Sequence, residues 1–437
     1  MTFAAESLLS SKLDSIKFGT GERGTGTVPR SYDRIPRLQH FCGSWKPTLQ
    51  HACALNQAGQ PQNQNSNYRR PNHMVNFFKN LISPRKPGIG IEIASDRINI
   101  IQLEKKAQAL KIATLASIEV PEDMVQEGQI ADPPGMAELI RSVLAENKIK
   151  AKNVATAIPG REAVIRLIPV PSELNNEELR EYMNSEAGLY LPFPREDADV
   201  DYQKIGLFVD DDGVEKVQVV LVATRKEVTD TYLETFREAG LTIDVLEVTS
   251  FALIRTLKDQ LQQFSSQEAA VLTDIEFDST ELAIVVDGIP QFNRTIPIGT
   301  YQIQTALNEA MNLPPTRDTS ELQSMTLPVT DTMGPSGDTN PGTNAIIKVL
   351  GELADELRRS VDFYLNQSEE LEVAQLLLAG PGAAIGKLDE FFMQRLSLPA
   401  SQVDPIQTLG LEVGEEITLE QRAGLGVALG LGLREVL

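Results

Sequence analysis

Residues 269–299 read AAVLTDIEFDSTELAIVVDGIPQFNRTIPIG, and at a period of two they resolve into three strand-like runs. VLTDIEF, TELAIVVDG and PQFNRTIPIG are separated by the polar turns Asp278-Ser279 and Asp287-Gly288. Asp-Gly between alternating apolar residues is a strong hairpin signal, because both turn positions favour positive φ. Leu282 to Val286 is apolar on both faces, as a strand inside a sheet requires. The stretch predicts an antiparallel meander.

Far upstream, residues 88–120 repeat the pattern as GIGIEIASDRINIIQLEKKAQALKIATLASIEV. An apolar strand ends in an acid, Glu92, turns through Ala94, Ser95 and Asp96, and returns as Ile98 to Leu103. Two copies of strand, turn, strand, turn, strand suggest an internal duplication. Facing turns with exposed backbone N–H groups form a natural clamp for a polyphosphate. Two ordinary meanders would give the same pattern, so both readings stand at this point.

Around these meanders the chain of 437 residues has room for two to four domains. A hydrophobic content of 41% and a charged content of 23% describe a globular protein with ample core. The net charge of −21 argues against nucleic acid and against anionic membrane surfaces, which attract clustered Lys and Arg. No apolar run reaches the ~20 residues of a membrane span. Two cysteines give no disulfide framework and point to a reducing compartment.

Residues 1–73 are of a different kind. They hold both cysteines, all three histidines and the one Trp, and carry about +5 against about −26 for the remainder. The spacing of His40, Cys42, His51 and Cys53 fits no ordinary zinc pattern, and no secretory signal is present. A disordered extension is expected there. Met74 opens MVNFFKNLISPRK, an amphipathic piece read as the natural start of the functional protein.

Between the meanders, Gly135 to Asn147 has the apolar spacing of a helix, and NVATAIPG is a buried strand. Residues 161–225 then read strand, helix, strand, strand, a compact α/β insert whose helix opens with the capping-box pair Asn175 and Glu178. After the second meander, Tyr301 to Met311 is helical. Residues 314–344 are rich in Thr, Ser, Pro and Gly and are read as a mobile loop. A long helix runs from Ala345 to Asn366, and LLLAGPGAAIGKLDEFF from Leu376 reads as strand, Gly-Pro-Gly turn and helix.

Taken together, these segments resemble the actin-like ATPase superfamily and, within it, the PilM family of cytoplasmic type IV pilus assembly proteins, related to the cell-division protein FtsA. The resemblance covers residues 74–437. It rests on the paired meanders, on EELREYMNSEAGLYLPFP (177–194), on ELADELRRSVDFYL (352–365) and on LLLAGPGAAIGKLDEFF (376–392).

The resemblance implies an α/β fold of duplicated actin-like (ribonuclease H-like) lobes, with a small α/β insert subdomain in the first. The first lobe would comprise 74–160, 226–268 and 405–437, the insert 161–225, and the second lobe 269–404. ATP and Mg²⁺ would lie between the lobes. Glu92, Ala94, Ser95 and Asp96 would form the first phosphate turn, and Asp274, Glu276 and Ser279 the second. Gly380 and Gly382 would form the adenosine turn, with Asp274 holding the metal through water. Family members dock the N-terminal cytoplasmic peptide of a PilN-like inner-membrane protein, which would make this chain cytoplasmic and peripheral at the membrane. Self-association into a ring, contact with the pilus motor and a role in twitching motility are further implications.

Three departures from the nucleotide pattern stand out. Ala94 and Glu276 occupy positions where the family carries glycine, and the family's Ala-Glu…Lys helix is replaced by the 314–344 loop. A carboxylate ~4 Å from a phosphate repels it by roughly 4 kcal/mol at an effective dielectric near 20, unless a cation intervenes. No residue emerges as a catalytic base, and Glu92, Asp274 and Glu276 read equally well as solvated turn residues. A scaffold is the preferred reading. The alternatives are an active actin-like ATPase, an FtsA-like membrane-associated filament protein, and a sugar-kinase-type enzyme on the same fold. The docking groove is expected at Arg166, Leu167, Leu179, Met183 and Leu189, against the plainer reading that these residues close the insert's own core.

Overall fold

The structure, a computed structural model, describes residues 89–106, 109–210, 212–328, 340–366, 371–412 and 417–436. The 1–73 extension, the piece opening at Met74 and residues 329–339 of the expected loop lie outside the described residues.

The first lobe opens with β1 (Ile89–Ile93), β2 (Arg97–Lys106) and β3 (Ala109–Glu119). A small ribbon of β4 (Val125–Gln126) and β5 (Gln129–Ile130) leads to α1 (Pro133–Glu146) and β6 (Asn153–Ile158). The insert follows as β7 (Ala163–Pro171), α2 (Asn176–Glu186), β8 (Ala198–Val209) and β9 (Glu215–Arg225). The chain then returns through α3 (Lys226–Glu238), β10 (Thr242–Val248), α4 (Thr249–Thr256) and α5 (Lys258–Leu261).

The second lobe begins with β11 (Glu268–Ile275), β12 (Thr280–Val286) and β13 (Ile289–Ile296). It continues through α6 (Thr300–Met311), α7 (Ser320–Ser324), α8 (Pro341–Leu365), β14 (Glu372–Ala379), α9 (Leu388–Leu396) and β15 (Ala400–Gln402). The chain ends in α10 (Pro405–Thr408), α11 (Leu419–Ala423) and α12 (Gly426–Val436).

The two five-stranded sheets have the same topology. Their orders are β3-β2-β1-β6-β10 and β13-β12-β11-β14-β15. In each, the first three strands are antiparallel, and two later strands join the first in parallel. The fold is a pair of actin-like lobes. The Asp287-Gly288 hairpin has positive φ at both residues, 53° and 74°, as its sequence anticipates.

Apolar packing joins the halves. Ala155, Ala157 and Val245 of the first sheet share one cluster with Ala270, Leu272, Val285 and Leu377 of the second, and with Leu253, Val427 and Leu431 between them. The terminal helix α12 lies against α4 and β1 through glycine. A Cβ on Gly430 would stand 2.0 Å from the Ala252 carbonyl oxygen, and one on Gly90 would stand 2.5 Å from the Gly432 nitrogen. Such close backbone approach needs residues without side chains.

The insert is a three-stranded sheet, β7-β9-β8. The two faces of β7 and β9 are both used. Ile168, Val170, Val219 and Leu221 pack under α2 with Leu179 and Met183, while Ile165, Val220 and Val222 join the first lobe's core. The capping box at α2 is present: Asn175 Oδ1 accepts from the Glu177 and Glu178 amides, and Glu178 Oε2 accepts from the Asn175 amide.

Within 314–344 the described residues are ordered rather than a loose loop. Leu322 and Leu327 are buried in the second lobe's core, and the chain at Met325 to Leu327 bonds to Gly386. Two well-spaced leucines suffice to anchor a segment whose overall composition is polar. The long helix also starts at Pro341, four residues before the expected Ala345, because Asn340 caps it and proline suits its first turn.

The candidate site at the interlobe turns

The two phosphate-type turns are built alike. In the first, the Ala94 amide donates to the Arg97 carbonyl at 2.9 Å; in the second, the Glu276 amide donates to the Ser279 carbonyl at 2.9 Å. By this equivalence Glu92 corresponds to Asp274, Ala94 to Glu276 and Arg97 to Ser279. Neither Ala94 nor Glu276 has positive φ, so the missing glycines cost no backbone strain.

Glu276 does not project as a bare charge, contrary to the sequence expectation. Arg97 Nη2 donates to both of its carboxylate oxygens, at 2.9 and 2.7 Å, and Arg97 Nη1 donates to Asp96 at 3.0 Å. The pair crosses from one lobe to the other, with side chains only 13% and 18% exposed. Burial pushes the Glu276 carboxyl up, Arg97 pulls against that, and Glu276 in turn raises the guanidinium; with both carboxylate oxygens accepting from Arg97, the contact has the geometry of an ionised pair. The cation the electrostatic argument called for is present, and it comes from the chain itself.

Further polar contacts cross the same gap. Arg161 reaches Ser279 Oγ at 2.5 Å and Asp278 at 3.1 Å. Glu281 accepts from the Gly160 amide at 2.5 Å and from Thr249 Oγ1 at 2.6 Å. Arg317, from the segment expected to be mobile, donates to the Ser95 carbonyl at 3.0 Å and lies 4.9 Å above the Phe277 ring. None of Arg97, Arg161, Glu281 or Arg317 was singled out by sequence. The duplication carried a signal for Arg97, which stands in the first turn where the second has Ser279.

Asp274 is 5% exposed. Burial, then the charges of Glu281 and Glu92, push its carboxyl up to about 8 against the pull of Arg97. Gly380, at φ 79°, lies against it: a Cβ there would stand 2.6 Å from Asp274 Oδ1. Gly382 abuts Ile275 in the same way. Glu92 is buried, accepts from Asn99 Nδ2 at 2.9 Å and is shifted upward, mainly by burial. Among the described residues no group of three or more His, Cys, Asp and Glu is arranged to hold a metal ion.

The space between the turns is lined by Glu92, Ala94, Ser95, Asp274, Glu276 and Ser279 among others, and amounts to about 40 Å³. That is the room of a water or two, far from the ~300–1,000 Å³ of a pocket that encloses a ligand.

The five expected groove residues are not brought together. Leu179 and Met183 are 2% and 1% exposed, inside the insert's own core. Leu167 is half-buried against the first lobe, on the opposite face of the sheet. Arg166 is exposed and donates to its neighbour's Ile165 carbonyl at 3.0 Å. Leu189 stands in solvent at 77% exposure. The apolar spacing of α2 marks its buried stripe, and Leu179 and Met183 are enclosed by the insert's own core rather than open to a groove. The insert's exposed apolar side chains are instead Leu189 and, around the β8–β9 hairpin, Leu207, Val209 and Val214.

A family model described as type IV pilus assembly protein PilM matches residues 90–436. Among solved structures, a chain of a PilM-PilN type IV pilus biogenesis complex is 26% identical with a TM-score of 0.68. The match covers 81% of this chain and 100% of that one. The ethanolamine utilization protein EutJ from Carboxydothermus hydrogenoformans is 13% identical, with a TM-score of 0.46 over 82% of this chain and 92% of its own. An archaeal actin homolog in complex with ADP is 12% identical, with a TM-score of 0.41 over 80% of this chain and 100% of its own.

Proposed function

The chain belongs to the PilM family of type IV pilus assembly proteins, and from that premise we propose that it is a scaffold of the pilus machine. In this reading it docks the cytoplasmic N-terminal peptide of a PilN-like inner-membrane protein and needs no nucleotide to do so. The likeness to a chain of a PilM-PilN type IV pilus biogenesis complex, over the whole of that chain, is the observation that carries it. Among the described residues no helix is long and apolar enough to cross a membrane.

The nucleotide cleft is read as degraded for hydrolysis. Glu92, Asp274, Glu276 and Glu281 line one small space together with Arg161, while Arg97 acts on Glu92, Asp274 and Glu276 from beside it. A triphosphate brought there meets carboxylates before it meets backbone donors. Docking is assigned to the insert's solvent-facing apolar residues with Arg166 at the margin, since short apolar peptides dock on such surfaces. The charges of the insert are mostly acidic, which favours a partner peptide with basic residues.

A synthetic peptide of the partner's cytoplasmic N-terminus is expected to bind the full chain in titration calorimetry without ATP. Leu189→Asp and Arg166→Glu should weaken binding about tenfold each, with melting temperature unchanged, because both side chains are exposed. Failure of the peptide to bind at high micromolar concentration, or binding only with Mg-ATP, would remove the basis of the scaffold reading.

A further inference from the structure

Arg97 and Glu276 join the two lobes at the place where the fold would put nucleotide. Both Glu276 carboxylate oxygens accept from the single Arg97 Nη2, at 2.9 and 2.7 Å, while Nη1 holds Asp96, and the contact is largely shielded from water. It does not stand alone. Arg161 to Asp278 and Ser279, Glu281 to Gly160 and Thr249, and Arg317 to Ser95 cross the same gap from both directions. Charge-assisted hydrogen bonds in a shielded site are stronger than neutral ones. A nucleotide with its metal closes two lobes by giving both of them a common set of charges to grip. Here the second turn's carboxylate grips the first turn's guanidinium directly.

We infer that Arg97 and Glu276 form a built-in latch that holds the two lobes closed without nucleotide, and that the pair must part before any triphosphate can enter. This rests on the reading of the cleft given above and is independent of peptide docking. The latch explains why the chain tolerates carboxylate in place of glycine at the second turn. Glu276 is the half of the ion pair that the second lobe contributes. Glu92 and Asp274 line the space between the closed turns, and Arg97 acts on both of them.

Hydrogen exchange on the full chain, free of nucleotide, tests it. The amides at Ala94, Glu276 and Thr300, which bond across or within the turns, should be protected in the wild type. Arg97→Gln and Glu276→Gln should each raise exchange at residues 94–97 and 276–280 by about 10- to 100-fold, the size expected when one shielded charge-assisted contact is lost. The charge-exchanged double variant, Arg97→Glu with Glu276→Arg, should recover most of that protection, which a general loss of packing would not allow. Arg97→Lys, which keeps the charge but cannot hold Asp96 and Glu276 through two separate nitrogens, should fall between. Calorimetry with Mg-ATP forms the second arm: Glu276→Gln should bind at least about tenfold more tightly than wild type, because Arg97 is then free to meet phosphate.

Unprotected turns in the wild type, or single variants exchanging at its rate, would overturn the latch. A double variant no better than the singles would do the same. Tight Mg-ATP binding by the wild type with the turns still protected would overturn it too, by showing that nucleotide enters without parting the pair. None of these results touches peptide binding, which is measured separately.

Discussion

Asp274 shows what the interior of this cleft does to a single residue. Its carboxyl moves from an ordinary 3.8 up to about 8 through burial and the neighbouring acids Glu281 and Glu92. Between those values the folded chain holds a proton that the unfolded chain has released. Stability from this group is therefore present at low pH, declines as pH rises through that window, and is lost above it. Asp274→Asn keeps the shape and removes the titration. In thermal melts the variant should match wild type near pH 4 and exceed it increasingly toward pH 8.5, by a few kcal/mol at the upper end. A gap that stays constant across that range would mean that Asp274 is ionised throughout. The sequence placed Asp274 and Glu92 at the ends of their strands correctly, because an acid closing an apolar run is a local pattern. It did not reveal Arg97 as the partner of Glu276, because the two are 179 residues apart and nothing in either neighbourhood points to the other.

At the scale of elements, the strands and turns were legible and the orientation of the insert's helix was not. The capping box at Asn175 and Glu178 and the Asp287-Gly288 hairpin depend on residues within four positions of each other, and both are found in the structure. Leu179 and Met183 have the spacing of an inward stripe, yet spacing alone does not say whether a stripe faces its own sheet or a visitor. The sheet settles it, since Ile168, Val170 and Val219 close over Met183. Met183→Asp should accordingly act as a core substitution. Placing a carboxylate there costs several kcal/mol, and the expected result is loss of the insert's cooperative unfolding together with loss of peptide binding. Leu189→Asp should lose binding alone. If Met183→Asp kept the wild-type melting temperature while abolishing docking, the helix would have to present Met183 to the partner after all. The segment 314–344 teaches the converse lesson. Its composition is that of a loop, but Leu322 and Leu327 anchor it and Arg317 reaches across to Ser95.

For the whole molecule, the duplicated topology was the most legible feature, since two meanders of matching pattern required two matching sheets. What sequence could not show is that the lobes share a core. Val427 and Leu431 of α12, the last helix of the chain, lie with Leu253 of α4 between Ala155 and Val245 of one sheet and Leu272 and Leu377 of the other. Two domains joined only by polar contacts would melt separately, because neither needs the other to bury its apolar surface. Here removal of either sheet exposes side chains of the other, and the terminal helix completes a lobe whose first strands were made more than three hundred residues earlier. The two lobes are therefore expected to unfold in one calorimetric transition, with van't Hoff and calorimetric enthalpies in agreement. Leu272→Ala, at 2% exposure in the shared cluster, should lower that single transition by about 2–5 kcal/mol without splitting it. Opening the latch with Arg97→Gln should loosen the turns and leave the shared core intact, so the transition should shift slightly and remain one. Two resolved transitions in the wild type would show that the polar contacts, not the common core, are what hold the lobes together.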